Sequence, residues 1–318
     1  MRTNFKEFYR LSAEEFKKIW DECLFVFDAN VLLNLYRYSQ ATSGEFIKIL
    51  KDEKISKRVW MSHQYAFEYQ KNRLLVISEQ KRSYEKLTEE IEGLTKKFER
   101  HPFLKMRDVM GPSLKSIRDA KRKHPKWNED DPIRHELTSL FENKVGKPLD
   151  KETLSEIYKE GQVRYSKKIP PGYLDNKKED ESKFGDLVGW KEIMIYAKEV
   201  NKPVIFITDE NDEDWWWRVN GELVGARYEL IKEINDYSGV FFCMYNSRLF
   251  HKQAAKFLKR KINQAVEKEI KEITENKGND STLVASSEDV DQPANVQQIL
   301  AEDVGKSDTS GAVVEGNI

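Results

Sequence analysis

Two short apolar runs finish on a carboxylate: "LFVFD" ends at Asp28 and "VIFITD" at Asp209. A side chain at the C-terminal end of a buried parallel strand projects into the crevice where such sheets gather ligands. Two more acids lie on helical patterns. In "FGDLVGWKEIMIYA", Asp186 shares a face with Trp190, Ile193 and Ala197, and in "SHQYAFEYQKNRLL", Glu68 shares one with Tyr65, Asn72 and Leu75. Each has a plainer alternative. An acid near a helix start favours the dipole and can cap it, and a lone helical glutamate is usually solvated. "TDENDEDWWW" packs five acids into the seven residues from Thr208, ahead of Trp215, Trp216 and Trp217. Alone it reads as a polar loop before a hydrophobic anchor.

Together these acids imply more. Carboxylates gathered above one sheet edge repel one another unless a cation lies between them. Oxygen ligands without His or Cys suit Mg²⁺ or Mn²⁺ rather than zinc. An ion held that way activates water and neutralises charge building on a phosphodiester. The chemistry inferred is metal-dependent phosphoryl hydrolysis.

Positioning these acids requires strands alternating with helices. The pattern predicts a helix over Ala13 to Glu22, a strand over Cys23 to Phe27, a helical "SGEFIKILKDEK" and a short strand in "RVWMS". From about Ser62 a long helix carries Tyr84, Leu87, Ile91, Leu94 and Phe98 along one stripe, which reads as core packing against an insertion or as a dimer seam. Between Arg100 and about Glu181, prolines predict short, broken helices in that insertion. "FGDLVGWKEIMIYAKEV" reads as helix, "KPVIFITD" as strand, "GARYELIKEINDYS" as helix and "GVFFCMYN" as strand. One basic amphipathic helix is expected from Ser247 into the tail. The fold class is α/β, with a parallel sheet covered on both faces.

Composition narrows the class. The 318 residues are 39% apolar and 34% charged, with a net charge of −1, as in a solvated globular protein. No apolar run approaches the roughly 18 residues of a membrane span, and the charged N-terminus does not read as a secretory signal. Cys23 and Cys243 lack a CxxC neighbour and read as buried thiols in a reducing cytoplasm. Residues 276–318 contain no aromatics and an acidic excess of about six, so they are expected to be disordered. The stretch from Lys96 to Lys126 is basic, either a solvated surface or a track for polyanions.

The order and wording of the motifs resemble the PIN-like nucleases, specifically the PIN_8 (DUF4935) group. "FVFDANVLLNLYRYS", "SHQYAFEYQKNR", "KIPPGYLDNKKED", "KFGDLVGWKEIMIYAKEVNKPVIFITDENDEDWW" and "GARYELIKE" carry the likeness, which spans about Leu24 to Asn246. It implies a three-layer PIN-like fold with a central parallel sheet, a helical insertion at about 99–182 and a C-terminal helix. Its expected extents are 1–265 for the domain, 266–275 for the end of the last helix and 276–318 for the tail. The resemblance makes Asp28 the first-strand metal ligand, with Asn30 orienting the site, Glu68 the helix glutamate and Asp186 the third acid. Asp209, positioned by Thr208, is the acid after the last core strand; many PIN domains place it one residue later, which nominates Glu210. Asp214 is an outer-sphere or second-metal acid. Asn72 and Arg73 follow Glu68 as supporting or phosphate-contacting groups, or as plain helix surface. Similar proteins usually read "RPEL" where this chain has Arg227, Tyr228, Glu229 and Leu230, a departure that touches a helix start and not the acids.

The function expected is an Mg²⁺- or Mn²⁺-dependent endonuclease of single-stranded nucleic acid, RNA ahead of DNA. By resemblance it is expected to be a toxin or phage-defence effector, with a regulatory protein partner or a homodimer left open, and the cysteine usage points to the cytoplasm. The three tryptophans could stack bases, although core packing of at least two is the plainer reading. Two other classes compete. A haloacid dehalogenase-type phosphatase also begins with a strand and Asp, but it needs a second Asp where this chain has Asn30 and another acid where it has Trp190. A non-catalytic nucleic-acid-binding or partner-recruiting module would have the same fold.

Overall fold

The computed structural model describes residues 1, 5–9, 12–101, 104–123 and 131–284. The chain divides into Met1–Glu275, which holds every strand among the described residues, and Asn276–Ile318. Of the second unit residues 276–284 are described, all helical; the remainder of the expected disordered tail lies outside the described residues.

The strands are β1 (Leu24–Phe27), β2 (Val59–Trp60), β3 (Val204–Ile207), β4 (Trp216–Val219), β5 (Glu222–Ala226) and β6 (Phe242–Tyr245). Four of them form one parallel sheet in the order β2-β1-β3-β6. Helices α1 (Ala13–Glu22), α2 (Ala29–Asn34), α3 (Gln40–Leu50), α4 (Glu53–Ser56) and α5 (His63–Lys97) precede the insertion. It supplies α6 (Met106–Lys123), α7 (Pro132–Phe141) and α8 (Lys151–Ser166). The sheet is completed around α9 (Gly185–Val200), α10 (Tyr228–Ser238), α11 (Ser247–Phe257) and α12 (Gln264–Val284). All eight residues of the two central strands, β1 and β3, are buried, so each reads as a continuous apolar run. Phe27 lies opposite Ile207, which brings the two strands' C-terminal ends side by side.

Three local expectations are corrected. The insertion is not made of short broken helices: α6 and α8 run 18 and 16 residues. Pro132 opens α7 at its first turn, where a missing N–H costs nothing, and Pro112 lies within α6, forgoing one backbone bond. The single C-terminal helix is two. Lys259 takes a positive φ of 56°, and the Asn263 side chain accepts from the N–H groups of Ala265 and Val266, starting α12 afresh. The acidic loop leads not merely into an anchor but into the β4–β5 hairpin, turned at Asn220 and Gly221 with φ of 50° and 82°. The "NG" pair is the sequence signal for that turn. The Tyr84–Phe98 stripe is partly covered by α6, with Leu87 and Leu94 still exposed.

Close packing fixes α5 and α9 over β3. The buried Tyr65 ring of α5 stacks on Phe206 with centroids 5.7 Å apart. Gly189 of α9 sits against that ring: a Cβ there would come within 2.5 Å of Tyr65 Cζ. Glu192, one turn further along α9, accepts from the Gln64 N–H at the start of α5 at 2.9 Å, a carboxylate at a helix N-terminus. Gly189→Ala is therefore expected to destabilise the fold by about 1–3 kcal/mol, read as a lower urea midpoint with unchanged slope.

Candidate active site

Asp28 follows β1 directly and is buried, 5% exposed. It occupies the N-cap position of α2, yet its side chain makes no capping bond. Instead Thr208 Oγ1 donates to Asp28 Oδ2 at 2.7 Å and Asn30 Nδ2 donates to the same oxygen at 2.9 Å. Asn30 Nδ2 also reaches Glu210 Oε1 at 2.8 Å, and its Oδ1 accepts from the Asp209 N–H at 3.1 Å. One amide thus clips the end of β1 to the segment after β3. The pair register of the two strands makes this possible, because Asp28 and Thr208 each follow a paired residue.

The Asp209 carboxylate is held by donors from α2 and α11. Its Oδ1 accepts from the Ser247 N–H at 2.8 Å, and its Oδ2 accepts from Ser247 Oγ at 2.6 Å and Asn34 Nδ2 at 2.7 Å. Ser247 is the first residue of α11, so Asp209 neutralises a helix N-terminus. Glu210 is the acid beside Asp28; successive side chains leaving a strand point to opposite sides.

Glu68, Asp186, Glu210 and Asp214 line a cleft of about 560 Å³. The N-cap of α9 is Phe184, with no side-chain capping bond, and Asp186 Oδ2 accepts from Trp215 Nε1 at 3.4 Å. Glu68 Oε1 accepts from Gln64 Nε2 at 2.7 Å and lies against Gly185, where a Cβ would approach that oxygen to 2.7 Å. The loop after α8 forms another wall. Gly172, with φ of 83°, abuts the Asp186 Cβ; Asp214 Oδ2 accepts from the Leu174 N–H at 3.5 Å; and Lys178 Nζ donates to Asp175 Oδ2 at 2.6 Å.

The electrostatics follow from crowding. Burial, then the Glu210 charge, holds Asp28 well above the ordinary aspartate range, against the lowering hydrogen bond from Thr208. Asp186 is raised by burial and then by Glu210, Glu68, Asp28 and Asp214. Burial raises Glu68, against its bond from Gln64 and the charge of Lys178. Asp214 is pushed up to about 6, chiefly by burial, with Asp212 adding to it. Glu192, behind the cleft, is pushed up to about 7 by burial. Like charges in low dielectric favour the protonated forms.

Other expected site residues divide. Asn72 lines the cleft. Arg73 does not: it is 5% exposed and its Nη1 pairs with Asp131 Oδ2 at 2.6 Å, an oxygen that also accepts from Tyr36 Oη. Removing one partner strands a buried charge, so Arg73→Ala is expected to cost about 3–5 kcal/mol, seen in urea unfolding. Trp215 and Trp216 are core, 1% and 4% exposed, while Trp217 meets Phe8 and Tyr228. On the basic stretch, Lys121 and Arg107 pair with Glu85 and Glu99; residues 102–103 and 124–126 of it lie outside the described residues. Cys23 and Cys243 are free thiols, and burial pushes both up to about 12. Sequence reasoning missed Glu192, Lys178 and Phe67 as neighbours of the acids. The quoted "KIPPGYLDNKKED" motif held the signal for Lys178.

The donor set is chemically suited to a hard divalent cation: carboxylate oxygens only, several desolvated, with Asp214 Oδ1 buried and lacking a hydrogen-bond partner. As placed, no group of three or more His, Cys, Asp or Glu among the described residues stands close enough to hold a metal ion. No described helix is long and apolar enough to cross a membrane.

A parallel α/β sheet with acids gathered beyond its central strands defines a class, and comparison agrees. A family profile described as a PIN like domain, PIN_8, matches residues 24–230. The chain belongs to the PIN-like domain family, whose domains are typically nucleases and usually use divalent metals. No curated protein and no solved structure matches it.

Proposed function

We propose that the protein is a metal-dependent endonuclease of single-stranded nucleic acid, RNA ahead of DNA, working in the cytoplasm. The observation that carries this reading is geometric: Asn30 Nδ2 joins Asp28 to Glu210, and Glu210 lines one cleft with Glu68 and Asp186, so acids from four separate segments meet at one sheet edge. These four acids would hold Mg²⁺ or Mn²⁺, with Asp214 beside them and Asp209 kept for the fold. When bound, such an ion lowers the pKa of water and offsets charge on the phosphate. Thr208 and Asn30 orient Asp28, and Asn30 keeps Glu210 within reach of it. Asp214 lines the cleft with its Oδ1 buried and lacking a hydrogen-bond partner, and is suited to accept a proton at that carboxylate. A role as a toxin or defence effector rests on the family resemblance and would show as growth arrest on induced expression.

The test incubates purified protein with labelled tRNA, mRNA and single-stranded DNA in Mg²⁺, Mn²⁺ or chelator, and maps the products. Chelator-sensitive internal cleavage of RNA is the expected result; identical products in chelator would end the proposal. A second reading, a non-catalytic binding module, is favoured by the lack of a ready-made three-ligand group among the described residues. It requires metal-independent binding with no cleavage of any of these substrates.

A further inference from the structure

Sequence reasoning offered the three tryptophans as base-stacking groups, and two of them are core. The aromatic exposed at the cleft is another one. Phe67 on α5 is 56% exposed, lines the cleft and precedes Glu68 directly. Lys71 follows one turn later on the same helix face and lines the same cleft. From the loop after α8, Leu174 and Lys178 complete this rim, Leu174 being exposed as well. A phosphate backbone approaching four acids meets repulsion, so cations near the acids matter more than cations elsewhere. Lys178 answers that need: its ammonium is held by Asp175 and acts electrostatically on both Asp186 and Glu68.

Resting on the reading of the acids as a nuclease centre, we propose that Phe67 and Lys178 form the nucleotide subsite of the cleft. Phe67 stacks on an unpaired base, and Lys178 takes the phosphate next to the bond that is cut. An exposed benzyl ring beside a carboxylate gains nothing from water, whereas every nucleobase offers it a flat face. In a duplex those faces are already covered by neighbouring bases. Phe67 therefore selects for unpaired strands, and Lys178 supplies affinity without regard to pairing. Lys178 leaves Asp175 when phosphate arrives, exchanging one carboxylate partner for another anion.

The experiment measures fluorescence anisotropy of labelled RNA of about 12 nucleotides, as a single strand and as a duplex. The protein used carries Asp28→Asn and Asp186→Asn, so that bound strand is not consumed. On this background Phe67→Ala is expected to weaken single-strand binding about tenfold and leave duplex binding unchanged, and Phe67→Trp to restore it. Lys178→Ala is expected to weaken both and to reduce the single-strand salt slope by about 0.7, with Lys178→Arg retaining both properties. Unchanged affinity in Phe67→Ala, or equal loss on single strand and duplex, overturns the subsite. Cleavage by the wild-type protein is followed in parallel. Cleavage that ignores Phe67 removes this inference alone; Phe67-dependent binding without any wild-type cleavage removes the reading of the acids and leaves the subsite standing.

Discussion

The Asp28→Asn, Asp186→Asn protein is expected to lose Mg²⁺-dependent RNA cleavage by at least about 10³-fold while melting higher than the wild type in chelator. The first half follows from taking away two of four carboxylates, since a bound cation contributes several kcal/mol and each 1.4 kcal/mol is tenfold. The second half follows from the crowding itself. Both aspartates are raised by burial and by neighbouring acids, so each charge costs the metal-free fold at neutral pH. Asparagine keeps the shape and can still accept from Thr208 Oγ1, as Asp28 does. A residue that served only the fold would lose stability when replaced. Product mapping and a thermal melt on the same preparation test both halves; full cleavage, or a lower melting temperature with cleavage intact, would sink the assignment.

The pH dependence of stability gives the second large effect. Asp214 rises from 3.8 to about 6 and Glu192 from 4.5 to about 7 on folding. For an acid raised in this way the folded state binds the extra proton. Its contribution is fully favourable below the unfolded value and is lost as pH climbs towards the folded one. Stability of the metal-free protein should therefore fall between about pH 4 and pH 7, by on the order of 3 kcal/mol for each group. Glu192→Gln should flatten the upper part of that profile, because the amide oxygen can still accept from the Gln64 N–H while carrying no charge. A divalent cation favours the ionised acids of the cleft. Mn²⁺ should thus raise the melting temperature more at about pH 7.5 than at about pH 5.5. Calorimetry at both values checks this; equal shifts would mean that the ion binds elsewhere.

The same crowding explains why Asp209 and Glu210 could not be assigned by order alone. Both follow the same strand, and both are acids. Asp209 went to the N-terminus of α11 because Ser247 offers it a backbone N–H and a hydroxyl there. That partner lies 38 residues away, and nothing in "TDEND" announces it. Arg73 has a similar history: its motif position beside Asn72 suggested substrate, while Asp131 from the insertion claimed it.

What the sequence by itself determined was the alternation of strand and helix, the parallel sheet and the place of Asp28 and Asp209 just beyond its central strands. These are local consequences of apolar runs, period and helix capping, all written within a few residues. The division of the C-terminal helix, the length of the insertion helices and the partners taken by Asp209 and Glu210 were tertiary decisions. Each turned on which distant donor, acceptor or packing surface reached a group first, since a buried polar atom takes the partner that the fold brings to it.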